Sequence, residues 1–211
     1  MPEGKGSPMT TPPDLRIVPG LPPGKLRVVV TYLEMTSQPA NPKQRPPIEK
    51  LALLRAEHPP VSFYRYLYNT VGEPWLWSER RKMNDEALAA VIHDPKVEIM
   101  VLYAGGVPAG FAELNRRRTE AVDLSYFGMI PDFIGMKLGP FLLNCAIDAA
   151  WSGGAKKLTV NTCTLDHPKA LALYQRAGFV PVRQVTRITD DPRVNGVLPL
   201  NAAPQHPIVN S

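Results

Sequence analysis

The chain has 211 residues, 44% of them hydrophobic and 20% charged, with a formal net charge of +5. That length supports one domain with a sizeable core, and the balance is that of an ordinary globular chain rather than a disordered or fibrous one. No run approaches the ~18 consecutive apolar residues of a membrane span, and the N-terminus lacks the apolar stretch of a signal peptide. Two cysteines, Cys145 and Cys163, without ligand spacing exclude a zinc site and a disulfide framework. The expected setting is a reducing cytoplasm, with no membrane, nucleic-acid or metal partner.

In chain order, residues 1–24 are rich in Pro, Gly, Ser and Thr and carry few apolar anchors, the composition of a disordered or loosely packed segment. A first strand is predicted over 26–33. Residues 36–48 are again Pro-rich and polar, and a short helix is predicted over 48–57 with Leu51 and Leu54 inward, stopped by Pro59 and Pro60. An aromatic-rich stretch over 63–68 follows, then Trp75 and Trp77. Asn84 before Asp85 and Glu86 reads as the capped start of a helix over 84–92, its acids facing the positive end of the dipole. The runs 97–103 and 107–114, joined through Gly105 and Gly106, read as a hairpin. Arg116, Arg117 and Arg118 read as a solvated hairpin loop.

The stretch from Leu124 to Gly139 is the most informative. Residues 124–130 have the aromatic and aliphatic content of a buried strand, ended by Pro131. Gly135 and Gly139 bracket a turn beside Pro140, and Leu142, Leu143, Ala146, Ile147 and Ala150 follow at helical spacing. A strand that delivers a glycine loop onto a helix N-terminus aims several backbone N–H groups at one point, where an anion such as a diphosphate is favoured. A further strand is predicted over 157–163. The next helix is predicted over 166–178, with Asp166 or His167 near the N-cap, Pro168 in its first turn and Gly178 just beyond its C-terminus. A final strand is predicted over 180–188, and periodicity then disappears, so 191–211 is expected to be an irregular tail behind a domain spanning 25–190.

Taken together, Phe127-Gly-Met-Ile-Pro131, the turn from Gly135 to Gly139, and the spaced Ala170, Tyr174, Gly178 and Phe179 resemble the GNAT superfamily of acyl-CoA-dependent N-acetyltransferases. The fold expected is of the α/β class: a mixed, mostly antiparallel sheet with helices on both faces, opening with three successive antiparallel strands. The family usually closes with two strands after Gly-Phe, whereas one convincing run is present here. The resemblance implies acetyl-CoA as acyl donor and an amine as acceptor. It also implies that backbone groups of Ile134, Gly135, Met136, Lys137, Leu138 and Gly139 hold the diphosphate, and that Gly128 and Met129 hold the pantetheine arm and the thioester carbonyl. Two departures stand out: Ile134 replaces the usual Gln or Arg, and Lys137 a usual glycine, its Cβ disfavouring a positive φ there.

Acetyl transfer to an amine needs a held thioester, a neutral amine and a proton for the leaving thiolate. Tyr174 stands where the family places its general acid, and an ordinary phenol approximately matches a thiol in acidity. Glu113, a carboxylate inside an apolar strand, is the first candidate base, with Asp123 the runner-up. His167 stands where many members carry an Asn that contacts the pantetheine arm, and helix capping is its alternative role. Tyr64, Trp75 and Trp77 are candidates for the acceptor-pocket wall, the alternative being a small hydrophobic cluster beneath a loop. Such a wall favours a small acceptor over a protein lysine. A CoA-binding sensor without turnover is the rival function, and a homodimer stays open.

Overall fold

The structure, a computed structural model, describes residues 21–39 and 45–209. The expectation for residues 1–24 therefore lies largely outside the described residues. Seven strands form one sheet in the order β2-β3-β4-β5-β6-β1-β7. They are β1 (Lys25–Met35), β2 (Leu51–Arg55), β3 (Val97–Ala104), β4 (Val107–Asn115), β5 (Val122–Met129), β6 (Leu158–Cys163) and β7 (Val180–Asp190). The helices are α1 (Val61–Gly72), α2 (Asp85–Ile92), α3 (Leu138–Ser152) and α4 (Ala170–Arg176). Only β5 and β6 pair in parallel; every other neighbouring pair is antiparallel.

Strand periodicity builds two cores, because successive side chains point to opposite faces of the sheet. Ile99, Val101 and Phe111 pack with Tyr64, Leu67 and Val71 of α1 and Leu88 and Ile92 of α2. Met100, Leu102, Ala112 and Leu114 pack on the other face with Leu138, Leu142, Ala146 and Ile147 of α3 and Tyr174 of α4. The mixed sheet with helices on both faces is thus the architecture observed.

Three local expectations are corrected. The predicted helix over 48–57 is instead the edge strand β2, antiparallel to β3. Its Leu and Ala content suits a helix, but β3 presents a row of backbone groups that need partners, and this requirement overrides local propensity. The first predicted strand does not stand beside the hairpin strands: β1 lies between β6 and β7, antiparallel to both. It takes a place beside β6 that the single closing strand leaves open. Arg116 is no solvated loop residue. It donates to the carbonyls of Ala149 (2.9 Å) and Ala150 (3.2 Å) near the C-terminus of α3 and pairs with Glu98 at 3.2 Å, satisfying carbonyls that lie at the negative end of the dipole.

The segment after β7 carries no helix or strand among the described residues, yet it is packed. Leu198, Ala202 and Ala203 are buried with Leu26 and Val28 of β1 and with Leu76. Arg193 anchors it, forking onto Asp191 (2.9 and 2.6 Å) and donating to the carbonyls of Ala202, Ala203 and His206. Among the described residues no helix is long and apolar enough to cross a membrane, and no group of His, Cys, Asp or Glu is placed to hold a metal ion.

Candidate active site

The site is made by a pair of strands that part. β5 and β6 are paired only at Val122–Leu158 and Asp123–Thr159. Asp123 ties the fork, accepting from Thr159 Oγ1 (2.7 Å) and Ser125 Oγ (2.8 Å), which occupies the runner-up base in a structural role. Beyond the fork the strands diverge, and a cavity of about 590 Å³ opens between Leu124–Met129 of β5 and Asn161 and Cys163 of β6.

At one end lies the glycine turn. Ile134, Gly135, Lys137 and Gly139 line the cavity. Met136 is exposed and outside the lining and the Leu138 side chain is in the core. The Met136 N–H is spent on the Phe133 carbonyl (3.4 Å) and the Ile134 N–H on that of Pro131 (3.0 Å), so the donors left are those farther along the turn and in the first turn of α3. Lys137 takes the left-handed conformation after all, with φ of 61°. The family's glycine fits that geometry without strain, whereas Lys137 holds it at a cost of order 1–2 kcal/mol. No side chain caps the first turn of α3, so its N–H groups remain available to an anion. A Cβ at Gly139 would meet Met129 Cγ at 3.7 Å and no other described atom within 4 Å, so the cradle is open. Lys137, Lys169 and Arg176 all line the cavity. Backbone donors, space and positive charge fit a diphosphate-bearing cofactor.

Tyr174 lines the same cavity, its ring edge-on to Phe127 (6.0 Å) and Phe179 (5.9 Å). Gly178 at φ of 104° ends α4 and returns the chain into β7, which is why the Tyr174–Gly178 spacing fixes this ring. Burial, and then the charge of Asp166, push the Tyr174 phenol well above its ordinary value. The near match with a thiol expected from the sequence is therefore lost: the phenol stays protonated and is a hydrogen-bond donor at every working pH. His167 lines the cavity edge, accepts from the Lys169 backbone N–H at Nδ1 (3.1 Å) and stands edge-on to Trp75 at 5.3 Å. The helix predicted over 166–178 begins only at Ala170, with Lys169 in the N-cap position, so His167 and Asp166 lie in the turn before it rather than capping it.

The other end is aromatic. Trp75 and Trp77 line it, whereas Tyr64 does not. Tyr64 is wholly buried and donates to Glu113 Oε2 at 2.5 Å. Glu113 is equally buried, is absent from the lining and pairs with Arg80 at 2.7 Å. A carboxylate so committed, away from the cavity, is not placed to take a proton from an acceptor. Burial and the Glu113 charge push the Tyr64 phenol far up. Tyr68, within the aromatic stretch 63–68, lines the cavity where Tyr64 does not, and Glu79 and Tyr126 line it without having been named as site candidates from the sequence. Tyr126 donates to Glu79 Oε2 at 2.6 Å, and Trp77 Nε1 donates to Asp166 Oδ1 at 3.4 Å. Tyr68 could have been found from its i, i+4 spacing to Tyr64 on one helix face. Glu79 is hidden in the run Glu79-Arg80-Arg81-Lys82, which reads as a solvated charge cluster.

No curated protein matches the sequence. Among solved structures, a GCN5-related N-acetyltransferase from Sphaerobacter thermophilus is 17% identical with a TM-score of 0.58, covering 81% of this chain and 53% of that one. A putative acetyltransferase of the GNAT family from Novosphingobium aromaticivorans is 16% identical with a TM-score of 0.55, covering 81% and 68%. An aminoglycoside acetyltransferase from an uncultured soil metagenomic sample is 13% identical with a TM-score of 0.53, covering 65% and 93%. These likenesses show the fold. The chain spans between about half and two thirds of the length of several such structures. Residues 63–179 match the model of the Acetyltransferase (GNAT) family; that span is more than half of the sequence and runs from α1 to the Gly-Phe after α4, so the chain belongs to the GNAT acetyltransferases.

Proposed function

We propose that this chain transfers the acetyl group of acetyl-CoA to a primary amine on a small molecule, by direct attack of the amine on the thioester. The observation that carries the reading is the cavity at the β5–β6 fork, with the glycine turn at one end, Tyr174 on its wall and aromatic rings at the other.

Acetyl-CoA, when bound, supplies the thioester. The chain supplies position and protons. N–H groups at the end of the glycine turn and in the first turn of α3 would hold the diphosphate, with the ammonium groups of Lys137 and Lys169 and the Arg176 guanidinium adding charge. From Leu124 onward β5 has lost β6 as a partner, so its edge at Gly128 and Met129 is free to pair with an extended, amide-bearing arm in place of a strand. Tyr174 Oη donates a hydrogen bond where negative charge develops on the departing sulfur. Tyr68, Trp75 and Trp77 confine the acceptor, which suits a small amine better than a protein chain.

The test is calorimetric titration with acetyl-CoA, followed by a free-thiol assay over a panel of small amines. Saturable binding with amine-dependent thiol release supports the proposal. Binding without release for any amine would leave a CoA-binding module, and absence of binding would overturn the reading altogether.

A further inference from the structure

The cavity is electrically lopsided. Its lining cations are Lys137 of the turn and Lys169 and Arg176 at the two ends of α4. Beside the aromatic rings stand two carboxylates, Glu79 and Asp166, and Asp166 already accepts from Trp77 Nε1, Thr162 Oγ1 and the Cys163 N–H. Neither arginine that follows Glu79 forms an ion pair with it: Arg80 pairs with Glu113 at 2.7 Å and lies 5.1 Å from the centre of the Tyr126 ring, and Arg81 pairs with Glu73 at 2.8 Å. The one bond described for Glu79 comes from the neutral Tyr126 hydroxyl, which leaves its second oxygen for another donor. Around it, Trp77 and Tyr126 lie 5.2 Å apart and Tyr68 lies 5.0 Å from Tyr126. Tyr126 and the adjacent Phe127 project from opposite faces of β5: Tyr126 toward Glu79, Phe127 toward Tyr174. The gap left by the parting strands joins these faces, so an amine at Glu79 and an acyl group beside Tyr174 meet through the sheet.

From this arrangement we infer that Glu79 is the acceptor-binding carboxylate and proton acceptor, and that the acceptor is a primary ammonium carried on a flat aromatic body. The inference rests on the acetyl-transfer reading above. A cation gains from the faces of aromatic rings and from an exposed carboxylate together, and an aromatic body gains from contact with the indoles. In the reaction the ammonium gives one proton to Glu79, and the freed lone pair forms the C–N bond with the thioester carbonyl carbon. The C–S bond breaks and its electron pair stays on sulfur, which takes up the remaining proton lost by nitrogen. Products are the amide and the free thiol, and Glu79, exposed to water, releases one proton per ammonium consumed.

The test uses the full chain saturated with CoA and three probes: phenethylamine, the neutral phenethyl alcohol and the ring-free butylamine. Phenethylamine is expected to bind at least about tenfold more tightly than either control, and Glu79→Gln to erase its advantage over the alcohol. Equal binding of amine and alcohol to the unaltered protein, unchanged amine affinity in Glu79→Gln, or no phenethylamine binding would each overturn the inference. Kinetics give a second measure. Without the carboxylate only the free-amine fraction reacts, so thiol release by Glu79→Gln should rise roughly tenfold per pH unit below the amine's own pKa, while the unaltered enzyme shows a flatter profile. Identical slopes would overturn the inference. Saturable acetyl-CoA binding and amine-dependent thiol release by the unaltered protein would show that acetyl transfer stands even where this acceptor assignment falls.

Discussion

At the scale of single residues, two side chains show chemistry set by burial rather than by residue type. Tyr174 is 6% exposed, and its phenol is held far above the ordinary value. A donor of this kind stabilises a departing thiolate through a hydrogen bond without having to ionise. Tyr174→Phe keeps the ring between Phe127 and Phe179, so melting temperature and acetyl-CoA affinity should barely change, while kcat should fall by roughly 10²-fold. The alkaline limb of the kcat–pH profile should be the same in both proteins, since this phenol does not titrate in the accessible range; an unchanged kcat in the variant would make Tyr174 a packing residue. Glu113 illustrates the converse. Its strand position and parity with Phe111 correctly mark it as buried, but sequence parity carries no information about the arginine that reaches it from 33 residues upstream. Of the two carboxylates that line the cavity, Glu79 and Asp166, Glu79 lies in an irregular stretch between helices where no periodicity points inward.

At the scale of elements, the parts legible in the sequence are those whose signal is local. The Gly-Gly hairpin, the Asn84 cap with its Ala87 N–H bond of 2.8 Å, and the strand–turn–helix from β5 to α3 each depend on neighbours a few residues away. The parts that were not legible, β2 as an edge strand and β1 between β6 and β7, depend on which backbone edge remains unpaired after the rest has folded. Glycines on β5 and in the turn separate folding from binding. A Cβ on Gly128 would sit 2.4 Å from Val71 Cγ1, and one on Gly110 would sit 2.6 Å from the Gly128 carbonyl oxygen, whereas one on Gly139 has room. Gly110→Ala should therefore push β4 and β5 apart and destabilise the protein by about 1–3 kcal/mol. Gly139→Val should fold normally and weaken acetyl-CoA binding roughly tenfold, about 1.4 kcal/mol. Calorimetry beside thermal melts distinguishes the two; full acetyl-CoA affinity in folded Gly139→Val would remove the diphosphate from this turn.

At the scale of the whole molecule, buried phenols and the C-terminal clamp decide when the site holds together. Tyr64, Tyr68 and Tyr174 are all buried, and burial raises each phenol, that of Tyr68 to about 12. Below pH ~10 folded and unfolded chains both keep these protons, so stability does not depend on them. Above it the unfolded chain ionises while the folded one does not, and each group removes about 1.4 kcal/mol of stability per pH unit. Alkaline unfolding should be steep, and the last part of the tyrosinate absorbance, that of the buried phenols, should appear together with the change in circular dichroism; complete tyrosine ionisation while the fold persists would contradict this. The clamp acts on the acceptor end. Gln205 bonds to the Pro74 carbonyl and His206 to that of Leu165 (3.1 Å), so the C-terminal segment grips both the Trp75–Trp77 loop and the loop before α4. Arg193 and Asp191 hold that segment at 2–3% exposure or less. Arg193→Met strands the Asp191 charge and three carbonyls, which should cost about 3–5 kcal/mol and show as a large drop in melting temperature. Pairing it with Asp191→Leu removes the stranded charge, so the double variant should recover much of that loss. Where the double variant is folded, the acceptor KM should still be raised several-fold, because the carbonyl bonds that fix the clamp stay broken, while acetyl-CoA affinity at the distant glycine turn stays near its original value. An unchanged acceptor KM in that folded variant would show that the indole loop keeps its place without the C-terminal segment.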